Sequence, residues 1–193
     1  MQSMSKKFAA LVMLPTLVLS WLAPGISSAT TLQRMSISDL SHAATLIVRA
    51  RCTGNFTRWE TGEIWTLTSF EVQETWKGSP PAQVTVRLLG GRFGNLTSSV
   101  SGVPRFVAGE EVVLFLERTV AGDLSIVSWI QGTFRIARDR ATGSDTITQD
   151  TAASEILDPS PTSRQQSAIR RMPAGEFRSL VAAALDAAPR RVQ

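Results

Sequence analysis

The chain has 193 residues, 43% hydrophobic and 19% charged, with one Cys, one His, no Tyr and a formal net charge of +4. The apolar fraction excludes wholesale disorder, and the length allows one domain or one domain with appendages. A lone Cys cannot close an intrachain disulfide, so the core must hold the fold.

Lys6 and Lys7 precede an apolar run from Phe8 to Leu22, and Ser27 and Ala29 are small residues two apart. That is the pattern of a secretory signal peptide over residues 1–29, cut after Ala29, and it predicts a secreted or periplasmic protein. The run is shorter than a membrane span and contains Pro15. Losing Lys6 and Lys7 with no acid brings the charge down to +2, too small a field to argue for nucleic acid.

Residues 30–150 read as a β domain. Ser36 and Asp39 have the spacing of a helix cap, so a short helix opens there, with Leu40, Ala43 and Ala44 toward the core. From Leu46 to Thr53, Leu46, Val48, Ala50 and Cys52 alternate with Ile47, Arg49 and Arg51, which predicts a strand with one buried and one wet face. A long strand follows from Glu63 to Trp76. It is apolar on both faces early and on one face later, as in a bent strand serving two layers. The segment from Lys77 to Pro81 stops it. Val84, Val86 and Leu88 make the next strand, and Gly90 and Gly91 end it. Residues 90–109 are loop-like, with a short strand or hairpin near Leu96–Val100. Glu111–Leu116 is continuously apolar after its first residue and predicts a central strand buried on both faces. Leu124–Ile130 alternates again. Thr133–Ala137 and Thr146–Thr148 pair as a final hairpin.

Residues 151–172 are rich in Ser, Thr, Pro, Gln and Arg and read as a flexible linker. In residues 173–193, Pro173 opens a helix whose apolar face holds Phe177, Leu180, Val181, Ala184 and Leu185. An isolated helix this short is marginal in water, which favours docking onto the β domain over a partner-binding role.

The chemistry-bearing motifs are few. A serine triad would need His42, and no Gly-x-Ser-x-Gly elbow exists. Cys52 falls on a core face and reads as a small hydrophobe rather than a nucleophile. No zinc spacing, calcium loop or phosphate loop occurs, so no metal or cofactor is expected, and no catalytic residue is assigned. Glu71 and Glu74 fall on opposite strand faces, which disfavours them as a glycosidase pair, while Glu110, Glu111, Asp139, Asp145 and Asp150 read as ordinary turn charges. Two sequons, at Asn55 and Asn95, carry little weight.

The aromatic residues remain. Trp76 and Trp129 read as core. Trp59 and Trp65 flank the turn Glu60-Thr61-Gly62-Glu63, and with Arg92, Phe93 and Arg105 on the glycine-rich loop they are the candidate recognition surface.

Three stretches carry a resemblance: Leu46 to Arg51, Phe70 to Gly78 followed by Val84-Thr-Val86, and Gly109 to Leu116. Their order resembles uncharacterised exported bacterial proteins. Those in turn are similar to the OB-like barrel of tissue inhibitors of metalloproteinases and netrin-type modules. The resemblance covers about residues 35–135 and implies a mainly β fold: an OB-like five- to seven-stranded barrel with a short N-terminal helix, to which the C-terminal amphipathic helix is added. The animal inhibitors chelate a protease zinc through an N-terminal Cys and are laced with disulfides. Here the expected N-terminus is Thr30 and Cys52 is alone, so that mechanism does not carry over. The expectation is an exported, non-enzymatic module that binds another exported protein, a metalloprotease among the classes implied. An envelope- or carbohydrate-binding module and a small carboxylate-dependent hydrolase are the alternatives. The hydrolase requires a deep pocket with a carboxyl of raised pKa, the carbohydrate module a shallow groove beside an exposed Trp59 or Trp65.

Overall fold

A computed structural model of the protein describes residues 34–140, 143–150 and 169–187. The expected signal peptide, and the linker up to residue 168, lie outside the described residues. The described chain is mainly β: an eight-stranded sheet, a separate two-stranded hairpin, and two α-helices. None of its helices is long and apolar enough to cross a membrane.

Helix α1 (Ile37–Ala43) starts where the cap pattern predicts. Ser36 Oγ accepts from the Asp39 backbone N–H at 3.1 Å, and Asp39 Oδ2 accepts from the Ser36 N–H at 3.0 Å. This reciprocal pair satisfies two of the N–H groups a helix start leaves open. At its other end Lys77 Nζ donates to the carbonyls of Ser41 and Ala44 at 2.7 and 2.6 Å, a cation where the helix dipole is negative. Leu40 and Ala44 are buried as expected, whereas Ala43 faces solvent.

Strand β1 (Leu46–Glu60) turns at Thr61-Gly62 into β2 (Glu63–Lys77). Both turn residues have positive φ, +51° and +86°, as a two-residue type I′ turn requires. Strand β3 (Gln83–Leu89) pairs with β2, and β4 (Gly91–Phe93) with β5 (Leu96–Ser98) forms the separate hairpin. Strand β6 (Glu111–Arg118) pairs with β1, with β7 (Leu124–Ile126) and with β8 (Thr133–Arg138). Strand β9 (Asp145–Gln149) follows β8, and β10 (Arg170–Pro173) adds to β9. Helix α2 (Ala174–Asp186) closes the described chain.

The sheet order is β1-β2-β3-β7-β6-β8-β9-β10, with β1 also paired to β6. Hydrogen-bonded neighbours therefore lead from β1 through β2, β3, β7 and β6 back to β1. The contact of β3 with β7 is parallel and limited to Val86 and Leu124. Strands β8, β9 and β10 extend the sheet beyond this circuit of five strands. Strand β10 takes in residues 170–172, read as linker from their composition, and Pro173, read as the opening of the helix; the missing signal is a partner strand, which composition cannot reveal.

Strand β6 separates two cores. Val112, Leu114 and Leu116 join an inner core with Val48, Ala50, Cys52, Phe70, Val84, Val86 and Ile126. Val113 and Phe115 join an outer core with Leu40, Ile47, Phe134, Ile147, Phe177 and Val181. This agrees with a strand buried on both faces. Ile47 corrects the wet face assigned to it, because α1 and α2 cover the outer layer there.

Helix α2 docks through Phe177, whose ring lies 4.6 Å from Phe134 and 6.0 Å from Trp76, centroid to centroid. Leu180, expected on the same face, is exposed. Trp76 packs on the outer core. Trp129 corrects its core assignment: it is half-buried at φ +51° in a 3₁₀ turn (Trp129–Gly132) that ends the apolar alternation after β7.

Register irregularities explain the faces. Between β1 and β2 the pairing steps from Arg49↔Glu74 to Ala50↔Val72, leaving Gln73 unmatched. Such a bulge reverses parity beyond it. Glu71 and Glu74 therefore oppose Arg51 and Arg49 on one face, not on opposite faces.

Candidate functional site

An open groove of about 210 Å³ lies where the β1–β2 hairpin, the end of β3 and the segment before β6 converge. Its base is continuous with the inner core: Leu88 and Phe106 are buried in that core and line the groove too, and the Phe106 ring meets Phe70 edge-on at 5.0 Å.

One wall is a frame of short polar side chains on alternate positions of β1 and β2. Thr66 Oγ1 donates to the Gly90 carbonyl at 2.6 Å and Thr57 Oγ1 to the Arg92 carbonyl at 2.7 Å. Thr68 Oγ1 donates to Asn55 Oδ1 at 2.7 Å, and Asn55 Nδ2 donates to the Phe106 carbonyl at 2.8 Å. Three of these four bonds end on backbone carbonyls between Gly90 and Phe106. They also engage the amide of Asn55, one of the two sequon residues.

Gly91 makes the crossing possible. Its φ is +138°, and a Cβ there would overlap Thr66 Oγ1 and lie 3.0 Å from Thr57 Cγ2. Only glycine lets the backbone lie this close on the hairpin. The chain then continues through β4 to a tip where Phe93 and Leu96 pair and stand exposed.

Arg92 and Arg105 both line the groove. Arg105 Nη2 donates to the Ser98 carbonyl at 3.1 Å, and Arg92 Nε reaches the Gly94 carbonyl at 3.4 Å. Behind this wall Arg135 donates to the Arg105 carbonyl, to Asp150 at 2.6 and 3.0 Å, and to Glu110. Its guanidinium also lies 5.4 Å from the Phe106 ring centroid. Burial works against the charge of Arg135, but the hydrogen bonds it donates to Asp150 and Glu110 hold its pKa above the ordinary arginine value.

The expected recognition residues divide. Trp59 pairs with Ile64, on the groove face of the hairpin, and is 49% exposed. Phe93 adjoins Arg92 on β4 and is 44% exposed. Trp65 is a correction: it pairs with Arg58 on the opposite face, half-buried beneath the Arg87 guanidinium at 4.1 Å. A two-residue turn sets Trp59 against Ile64, so Trp65 is one step out of register and faces the other way. Its surroundings are an ion-paired cluster, in which Arg87 reaches Glu60 at 3.1 Å and Asp123 at 3.0 Å.

Sequence reasoning missed Asn55, Thr57, Thr66, Thr68 and Arg135. Thr66 and Thr68 share the parity of Ile64 and Phe70, so polar residues in a core-facing series were the available signal.

The carboxylates belong to another face. Arg49 reaches Glu111 at 3.0 Å, Asp145 at 2.8 Å and Glu74 at 3.5 Å, and Arg51 reaches Glu111 at 2.8 Å. Glu110, Glu111, Asp139, Asp145 and Asp150 are all ion-paired, correcting their reading as plain turn charges. Hydrogen bonds from Arg49 and then Arg51 hold the Glu111 carboxyl below the ordinary glutamate range, against a smaller opposing effect of burial. Cys52 is buried in the inner core, and burial pushes its thiol pKa up. Among the described residues no group of three or more His, Cys, Asp or Glu is placed to hold a metal.

Compared with protein-family models, curated proteins and solved structures, the chain matches none.

Proposed function

We propose that this protein is an exported, non-enzymatic binding module, an OB-like barrel whose groove rim grips another exported protein. The circuit from β1 through β2, β3, β7 and β6 back to β1 supports the barrel reading. The observation that carries the binding role is the rim itself. Trp59, Phe93, Leu96 and Val107 stand exposed on the elements that build the groove. Large apolar side chains gathered in water at one rim mark an interaction surface. A metalloprotease is the first partner to test, on the resemblance alone; with Cys52 buried, any such contact must be made by the rim and not by a thiol.

The exposed Trp59 beside an open groove also favours an envelope- or carbohydrate-binding module as second reading. The hydrolase reading loses ground, because the groove lining contains no Asp or Glu and the Glu111 carboxyl on the other face is ion-paired and held low rather than raised.

The test is retention from the exported fraction of the protein's own source by immobilised protein, wild type against the double variant Trp59→Ala/Phe93→Ala. A protein retained by the wild type and lost by the double variant, with thermal stability unchanged, is the expected outcome. Equal retention by both would remove the rim from consideration. Retention of glycans alone would favour the second reading.

A further inference from the structure

The groove is lined by two arginines and by no acid. Arg49, Arg51, Arg58, Arg87 and Arg135 each pair with a carboxylate. Arg92 and Arg105, the two arginines lining the groove, pair with none among the described residues; their bonds run to backbone carbonyls at 3.4 and 3.1 Å. No Asp or Glu lines the groove to neutralise them. The hydroxyl protons of Thr57, Thr66 and Thr68 are already given to Arg92 O, Gly90 O and Asn55 Oδ1. A hydroxyl has one proton to donate, so the donors left for a ligand are chiefly the two guanidinium groups. Guanidinium groups lacking an acid bind planar carboxylates by paired charge-assisted hydrogen bonds, as they also do phosphates.

The neighbours of the arginines narrow the class. Phe93 follows Arg92 in β4, Leu96 opposes Phe93, and Val107 lies two residues beyond Arg105; all three are exposed. Leu96 and Val107 are aliphatic and offer a sugar neither a stacking face nor a hydrogen bond, while they can bury an apolar peptide side chain. A neutral sugar would also find no carboxylate acceptor in the groove.

We propose that the groove recognises an acidic, apolar-flanked peptide segment of a partner protein, with one carboxylate held between Arg92 and Arg105 and the flanking apolar side chains on Phe93, Leu96 and Val107. This rests on the binding-module reading and supplies its ligand chemistry.

The test uses fluorescence anisotropy with the intact protein and a dye-labelled peptide alternating Glu with Leu and Phe, against the same peptide with Gln for Glu, and with polygalacturonate as an acidic glycan competitor. The Glu peptide is expected to bind about tenfold more tightly than the Gln peptide, the worth of one charge-assisted contact, and to weaken as salt is raised. Arg92→Gln/Arg105→Gln should abolish that margin without changing thermal stability, since both side chains are exposed. Equal binding of the two peptides, binding of neither, or polygalacturonate displacing the Glu peptide at lower carboxylate concentration would each overturn the proposal. A partner retained equally by wild type and the arginine double variant, but lost with Trp59→Ala/Phe93→Ala, would overturn the acid preference while leaving the binding module standing.

Discussion

The guanidinium of Arg135 on β8 donates to the backbone carbonyl of Arg105 at 2.8 Å. One side chain thereby ties the groove wall to the paired carboxylates Glu110 and Asp150.

Replacing Arg135 with Met should remove this tie and leave two partly buried carboxylates without their cation. The expected loss is about 2 kcal/mol, below the range for a fully buried pair because Arg135 keeps some exposure. Urea unfolding measures it. Amide exchange in residues 103–107 should accelerate in the same variant. Arg135→Lys should recover little, since an ammonium cannot span both carboxylates and the carbonyl as a planar fork does.

Glu111 sets part of the acid limit. Its folded-state pKa lies below that of the unfolded chain, so its contribution is complete above the ordinary glutamate value of about 4.5 and is lost as pH falls through the lower, folded value. Glu111→Gln should cost about 1 kcal/mol at pH 7 and progressively less as the pH is lowered through the acid range. Unfolding free energies measured across that range should show a shallower acid limb for the variant; parallel curves would refute the assignment.

Gly91→Ala should cost about 2 kcal/mol or more, because the added carbon strikes the Thr66 hydroxyl at a φ that L-residues rarely adopt. Gly94→Ala meets no atom within 4 Å and bears only the strain of φ +60°, about 1 kcal/mol. Chemical denaturation of both variants gives the comparison, and equal losses would mean that the close approach of β4 to the hairpin is unimportant.

Phe177→Ala should destabilise by about 3–5 kcal/mol, since the ring is fully buried against Trp76, Phe115 and Phe134. Leu180→Ala, on the same helix but exposed, should stay within about 0.5 kcal/mol. Comparable effects from the two would contradict the docking of α2 through Phe177.

Strict alternation makes part of the fold legible. Val84, Val86 and Leu88 face the core as their spacing predicts, and the unbroken run after Glu111 marks the strand buried on both sides. The Ser36 cap and the Phe177 face of α2 are legible too, because their signals are local. Non-local facts are hidden. The unmatched Gln73 turns Glu71 and Glu74 to one face, and only the partner strand reveals it. Strand β10 exists because β9 offers an edge. At the site, Arg92, Phe93 and Arg105 could be chosen by residue type, and Trp59 by its place near the turn. Trp65 could not be separated from Trp59 without knowing that the turn has two residues.

Strand β6 lends alternate side chains to both cores, with Leu114 on one side and Phe115 on the other. Neither layer can therefore melt while the other stays intact, for losing either face of β6 strips the opposite core of a wall. Heat or denaturant should meet a single cooperative unit. Amide protons along residues 112–116 should then exchange only by global opening, making this strand the slowest-exchanging stretch of the molecule.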